Sequence, residues 1–338
     1  MKKTVLTLTF IIIAAGLIST YLIYLTFCSP NTIGESYIYV YEDATVDSLA
    51  DVLKNDSLIK LKNTFLYAAK TEKLEGSIKP GRYKLEERMN NRRLARMFKL
   101  GLQQPTNITL AGNIRTLDRL SGILSRQIAA DSSGILSVLS DTDIMEKHGL
   151  NPYTFPGIFL LNTYEVYWTT SPEELVARMK REYDRFWNSE RVSKAKEIGL
   201  TPMEVTTLAS IVAEESNINS EHPVIAGVYI NRLKSGMLLQ ADPTIKFALN
   251  DPAIKRILFR HLEIDSPYNT YKNSGLPPGP ITLPSPAIID AVLNYSKHNY
   301  LYFCANPSLD GSHAFATNLS DHNRNARAYH KAISELNL

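Results

Sequence analysis

The chain has 338 residues, 44% apolar and 21% charged, a composition that excludes a disordered chain, allows a sizeable core and favours two domains over one. Its 37 Lys and Arg against 34 Asp and Glu leave a formal charge of +3, to which Lys2 and Lys3 contribute before the first apolar run. No long basic block follows, so nucleic acid is not an expected partner.

No charged residue occurs from Thr4 to Cys28, and residues 5–27 are long enough to cross a ~30 Å hydrocarbon core as one helix. Two lysines before this run and a nearly neutral body after it predict a short cytoplasmic start (1–4), a transmembrane helix (5–27) and an exported body, by the positive-inside rule. A cleaved signal peptide is the weaker reading, because the exit Tyr24-Leu25-Thr26-Phe27-Cys28 offers no Ala-x-Ala-like site. Lipid modification of Cys28 is weaker again, since the bulky Phe27 stands where such cysteines follow a small residue. Cys304 is the only other cysteine, so no disulfide framework is expected.

A polar connector leads to a strand-like segment at 36–41 and to helical spacing at 45–54 through Val46, Leu49, Ala50 and Leu53. A second helix is predicted over 61–71. Pro80-Gly81 marks a turn before a short strand at 82–85, and 90–100 follows as an amphipathic helix. A linker near 101–107 precedes a short strand at 106–110 and helices over 116–128, 172–187 and 191–198, with an aromatic, turn-rich stretch at 149–169. The pattern predicts an α+β protein: a small module over 36–104 and a larger mixed α+β domain over 105–338.

Thr201-Pro202-Met203-Glu204 forms a capping box with proline at the first helical position, so a helix starts there. Leu208, Ile211, Val212 and Glu215 then recur at helical spacing, which puts the Glu215 carboxylate in line with an apolar stripe. Glu214 is turned by about 100° toward Thr207 and Ser210, expected to be the more solvated flank. A carboxyl held against apolar neighbours stays protonated to higher pH and can serve as a general acid. The competing structural reading makes Glu215 a helix-end glutamate paired with Arg232.

Leu-Ala-Ser-Ile-Val-Ala-Glu-Glu-Ser at 208–216 is followed by Val-Ile-Ala-Gly-Val-Tyr-Ile-Asn-Arg-Leu at 224–233 and Met-Leu-Leu-Gln-Ala-Asp-Pro-Thr-Ile at 237–245. Ser-Pro-Tyr-Asn-Thr-Tyr at 266–271, Gly-Leu-Pro-Pro-Gly-Pro-Ile at 275–281, Leu301-Tyr302-Phe303, Gly-Ser-His-Ala-Phe at 311–315 and Asp321-His322-Asn323 continue the series. These motifs, in this order, resemble the MltG/YceG-like family of endolytic murein transglycosylases. The resemblance implies a membrane-anchored lytic transglycosylase of the inner membrane, with a LysM-like subdomain at 36–104 and a catalytic domain at 105–338. Peptidoglycan strands are the implied substrate, and peptidoglycan synthases are candidate partners. The family's catalytic glutamate precedes a small hydroxyl residue in this helix, which maps to Glu215 before Ser216. The chain departs from the family at Ala213, where a glutamate is common, and at 156–164, where Pro-Gly-Ile-Phe-Leu-Leu-Asn-Thr-Tyr replaces Glu-Gly-x-x-Phe-Pro-Asp-Thr-Tyr.

The resemblance also places Ser216, Asn231, Arg232, Gln240, Asp242 and Thr244 at the cleft as expected substrate contacts. By residue chemistry alone, Asp242 before Pro243 serves equally well as a turn or cap residue. Tyr268, Asn269, Thr270 and Tyr271 join rings with hydrogen-bonding groups, which suits a sugar-binding wall, although aromatics in such a loop also serve as packing. His313 and His322 with Asp321 lack the spacing of a zinc site, and no phosphate-cradling glycine loop occurs, so neither metal nor cofactor is expected. Two other activities compete: a hydrolytic muramidase with Asp242 as its base, and a silent peptidoglycan-binding scaffold.

Overall fold

The computed structural model describes residues 2–251, 253–254 and 256–336. Met1, at the head of the expected cytoplasmic start, and the last two residues of the expected second domain lie outside them. The protein is a mixed α+β structure with an apolar first helix, and its contacts divide it into two units. The first comprises the residues up to Ile108 with Gln127–Ala130 and Tyr164–Thr170; the second comprises Thr109–Arg126, Asp131–Thr163 and the chain from Ser171 onward.

Helix α1 (Lys2–Phe27) contains one uninterrupted apolar stretch, Thr4–Phe27, long enough to cross a membrane. From Thr4 to Tyr24 the side chains are exposed almost throughout, while Thr26 is buried in the first unit. The expected polar connector is not a loose tether. Asn31 donates from Nδ2 to the Leu61 carbonyl and to Asn91 Oδ1, and accepts from the Leu61 amide; Asn91 in turn donates to the Thr26 carbonyl at 2.9 Å. Thr32 donates to the Glu86 carbonyl and accepts from the Met89 amide, and backbone bridges join Pro30 to Asn90 and Thr32 to Ile59. A buried backbone needs partners for its amides and carbonyls, and these polar side chains supply them.

The rest of this unit follows the predicted order. Strand β1 (Ser36–Val40) buries Ile38 and Val40 and leaves Tyr37 and Tyr39 exposed, the period-two pattern of a half-buried strand. Helices α2 (Val46–Asn55) and α3 (Lys62–Thr71) follow, then strand β2 (Gly81–Leu85) and helix α4 (Asn91–Leu100). Thr45 and Ser48 close a capping box on α2; Asn90 caps α4, and Gly101 ends it in the left-handed conformation. Strands β1 and β2 pair antiparallel from Ser36↔Leu85 to Val40↔Gly81. Leu49, Leu53, Phe65, Tyr83, Leu94 and Phe98 fill the core between sheet and helices, each burial worth roughly 1.5–3 kcal/mol.

Strand β3 (Thr106–Thr109) pairs with β4 (Thr163–Val166), and the division between the two units falls within these strands. Between them lie α5 (Leu117–Leu124), α6 (Ser132–Leu139) and α7 (Thr142–Lys147). Helix α5 is shorter than the predicted 116–128, since the following backbone is taken up elsewhere: the Ala129 amide donates to the Trp168 carbonyl. Helices α8 (Pro172–Phe186), α9 (Ser189–Ile198), α10 (Pro202–Glu215) and α11 (His222–Lys234) come next, followed by α12 (Asp242–Leu249) and α13 (Pro286–Leu293). A hairpin of β5 (Tyr302–Ala305) and β6 (His313–Ala316) leads to the last helix, α14 (Leu319–Leu336). Helix α10 packs against α9, α11, α12 and α13 and is the centre of the second unit.

Candidate active site

Every residue of α10 from Val205 to Val212 is buried, the polar Thr206, Thr207 and Ser210 included. This overturns the expectation of a solvated flank. Thr206 returns its hydroxyl to the Pro202 carbonyl, and Ser210 donates to the Thr207 carbonyl and accepts from the Ile281 amide, so their polar groups are satisfied inside the protein. Glu214 is likewise not a solvated side chain. It pairs with Arg115 and accepts a hydrogen bond from Asn113, with 11% of its side chain exposed. Beyond Val212 the last turn of α10 is partly exposed, and its final residue, Glu215, lies at the floor of a cleft of about 350 Å³.

Tyr229, Arg232, Gln240, Asp242 and Tyr271 surround Glu215 in this cleft, with Tyr302, Phe303 and His322 from the far end of the chain. Protein atoms enclose Glu215 except toward the opening, and this burial pushes its carboxyl up to about 7. The hydroxyl of Tyr229, 2.5 Å from Glu215 Oε1, donates to it and opposes that rise; the negative charge of Asp242 adds to it. The carboxyl is therefore half-protonated near neutral pH, which suits a group that must give up a proton and take one back.

Arg232 does not pair with Glu215. Its guanidinium donates to the carbonyls of Leu301 (2.6 Å), Leu238 (3.2 Å) and Leu239 (2.9 Å), fixing the loop that carries Gln240. Gln240 itself has a positive φ of 51°, which turns the chain into α12. Asp242 opens α12 ahead of Pro243 and accepts a 2.6 Å hydrogen bond from the Tyr271 hydroxyl. Burial and that bond raise the Tyr271 phenol, which remains a neutral donor.

Six of the expected contact residues stand outside the cleft lining and hold its walls. Ser216 donates to Glu221 at 2.8 Å, and Glu221 is bonded in turn by the His313 amide and ring. Burial pushes the Glu221 carboxyl up, but the bonds from His313 and Ser216 outweigh it and hold the group below the usual range. Asn231 donates to the carbonyls of His298 and Tyr300, and Asn269 to those of Leu262 and Ile264. Thr244 and Thr270 meet at 2.9 Å with Thr270 accepting the Ala241 amide, while Tyr268 packs on Phe247 with ring centroids 4.6 Å apart.

Sequence reasoning singled out neither Tyr229 nor, as cleft residues, Tyr302, Phe303 and His322. Tyr229 lies one turn before Arg232 on α11, so the face that carries Arg232 was the available signal. His322 lies against the Tyr302 ring, its Nδ1 buried without a partner, and burial followed by the nearby Arg232 charge keeps the imidazole below its usual range. No cluster of metal-ligating side chains occurs among the described residues. The cleft therefore offers one proton-exchanging carboxyl, one second carboxylate, fixed hydroxyl donors and aromatic walls, an inventory suited to breaking a polar bond in a sugar-like substrate by acid–base chemistry.

The model of the YceG-like family matches residues 38–328. An endolytic murein transglycosylase of Bacillus subtilis is 28% identical over 318 residues, covering 88% of this chain and 86% of that protein. One from Streptococcus pneumoniae is 28% identical over 318 residues and covers 84% of this chain, which spans only 56% of that longer protein. The crystal structure of a yceG-like protein from Listeria monocytogenes superposes with a TM-score of 0.55 at 25% identity, over 86% of this chain and 98% of the other.

Proposed function

We infer what this chain does from a premise: it belongs to the YceG-like family. The protein is an endolytic murein transglycosylase, a lyase that cuts peptidoglycan strands at the bond between N-acetylmuramic acid and N-acetylglucosamine. The observation that carries this reading is Glu215, a carboxyl raised to about 7 by burial at the floor of the cleft.

In its protonated form Glu215 gives a proton to the leaving glycosidic oxygen. As carboxylate it then takes the proton from the C6 hydroxyl of the same muramic acid, whose oxygen closes on C1 to leave a 1,6-anhydro end. The nucleophile belongs to the substrate and acts at high effective concentration, and no water is consumed. Tyr229 supports both stages: its hydroxyl donates to the carboxylate and restrains its rotation. Gln240, Asp242, Tyr271 and His322 offer hydrogen-bonding atoms to sugar hydroxyl and amide groups. The test is Glu215→Gln in the full chain, with products from purified glycan read by mass spectrometry. Loss of nearly all turnover with the fold retained supports the assignment, and near-normal turnover rejects it.

Asp242 sustains a second reading, a hydrolytic muramidase, because it lines the same cleft and is oriented by Tyr271. Heavy-oxygen water separates the two: a labelled reducing end means that water attacked, and an unlabelled 1,6-anhydro end means that the sugar closed on itself. The anchor extends the proposal. With Lys2 and Lys3 on the cytoplasmic side, α1 spans the inner membrane and the body faces outward. The first unit's module at 36–104 acts as a LysM-like platform, the domain at 105–338 does the cutting, and the enzyme terminates nascent strands beside the synthases that extend them.

A further inference from the structure

Residues 4–24 of α1 rise about 30 Å at ~1.5 Å per residue, the thickness of a hydrocarbon core. The last turn of the helix, with Thr26 and Phe27, therefore emerges at headgroup level. There it is already inside the first unit: Asn91 at the start of α4 bonds the Thr26 carbonyl, Arg92 lies over the Phe27 ring at 5.4 Å, and the exposed Tyr67 of α3 meets that ring edge-on at 6.2 Å. The first turn of α4 is thus fixed at the height of lipid phosphates, in a structure with no free hinge between span and module.

Helix α4 carries Arg92, Arg93, Arg96 and Lys99 and no acidic residue. Arg92, Arg96 and Lys99 recur on one face and converge on Glu72: Arg92 Nε donates to Oε1, Arg96 Nε to Oε2 and Lys99 to the Glu72 carbonyl. Two guanidinium cations thus share one carboxylate, and the Lys99 ammonium sits on the backbone of the same residue. The carboxylate lies underneath, with 13% of its side chain exposed, while the arginines are 51% and 57% exposed. Each guanidinium uses only Nε on Glu72, and among the described residues none takes its terminal nitrogens. Arg92, Arg93 and Arg96 also line a groove of about 700 Å³ that continues past Met97 to the exposed Leu100 and Leu102.

We propose that this face of α4 binds the phosphates of anionic phospholipids in the leaflet from which α1 emerges, with Tyr67 as an interfacial anchor, so that the first module lies down on the membrane. The proposal rests on α1 being a membrane span. Paired guanidinium nitrogens match phosphate oxygens, and each basic residue near an anionic surface strengthens association about fivefold. The face is continuous with the span, so these contacts need no search in solution.

The test uses the full chain in nanodiscs of phosphatidylglycerol or phosphatidylcholine, with phenylglyoxal modification of individual arginines followed by mass spectrometry. Arg92 and Arg96 should react at least fivefold more slowly in phosphatidylglycerol, the protection should fade in high salt, and inorganic phosphate added to phosphatidylcholine discs should not reproduce it. Arg185, which is exposed in the second unit, supplies the reference rate. Equal rates in the two lipids, or protection by free phosphate alone, would overturn the proposal. Failure of the chain to enter discs of either lipid would instead reject the span. The Glu72→Gln variant, which frees the arginines without removing them, should keep the lipid-dependent protection; its loss would mean that Glu72 alone positions these side chains, and would also count against lipid binding.

Discussion

Glu215 is raised by burial from 4.5 to about 7, and this fixes two pH dependences of opposite use. Below about 4.5 the folded and unfolded chains both hold the proton; between 4.5 and 7 only the folded chain does, and stability falls as pH rises. Glu215→Gln should therefore gain stability over the parent progressively across that window and level off above pH 7, by up to about 3 kcal/mol; a gap that stays constant from pH 4 to 8 in thermal unfolding would deny the raised pKa. Tyr229→Phe removes the bond that favours the charged form, so the fall of kcat on the alkaline side should move to higher pH while kcat itself drops about tenfold or more. Glu214→Gln should keep substantial activity, since Glu214 is engaged with Arg115 and Asn113 away from the cleft lining. Helical spacing made the position of Glu215 legible in the sequence. It did not reveal that Ser216, Asn231, Asn269 and Thr270 spend their polar atoms on neighbouring loops, because which backbone groups lack partners is settled only when those loops pack.

At the scale of elements, helix starts were legible at the caps Thr45, Asn90 and Thr201, whereas the short helices α6, α7 and α13, capped by Asp131, Asp141 and Ser285, were not anticipated. The stripe on α10 was less informative than its spacing suggested. A helix buried on every side has no polar face for periodicity to detect, and the small hydroxyl residues that looked solvent-facing allow close packing instead. Helix α11 shows what such close approach requires. At Gly227 an added Cβ would lie 2.5 Å from the Ser296 carbonyl oxygen and 2.6 Å from His298 Nε2. Gly→Ala inside a helix ordinarily gains up to ~1 kcal/mol; here Gly227→Ala should lose about 1–3 kcal/mol by overpacking, seen as a lower urea midpoint with unchanged slope. Because α11 also carries Tyr229 and Arg232, kcat should fall with it, and a variant as stable and active as the parent would contradict this packing.

For the whole molecule, the apolar span was legible from composition alone, but its connection was not. The segment after Phe27 has the composition of a loop, and the ties of Asn31 and Thr32 to residues some 30 to 60 positions away leave no local pattern. Replacing residues 4–24 with a cleavable signal should leave the first module stable and cutting of purified glycan intact, while glycan strands in cells grow longer. Removing the chain through Phe27 should cost that module about 1 kcal/mol or more in addition, because Asn91 loses the Thr26 carbonyl. Unchanged strand lengths with the released form would rule out anchoring as the source of length control. The absence of a joint after Phe27 also makes the helix and the module a single lever. A transmembrane helix adjusts to a thinner bilayer by tilting. If α1 spans the bilayer as proposed, that tilt turns the first module through the same angle, so bilayer thickness as well as lipid charge would set the module's inclination to the membrane.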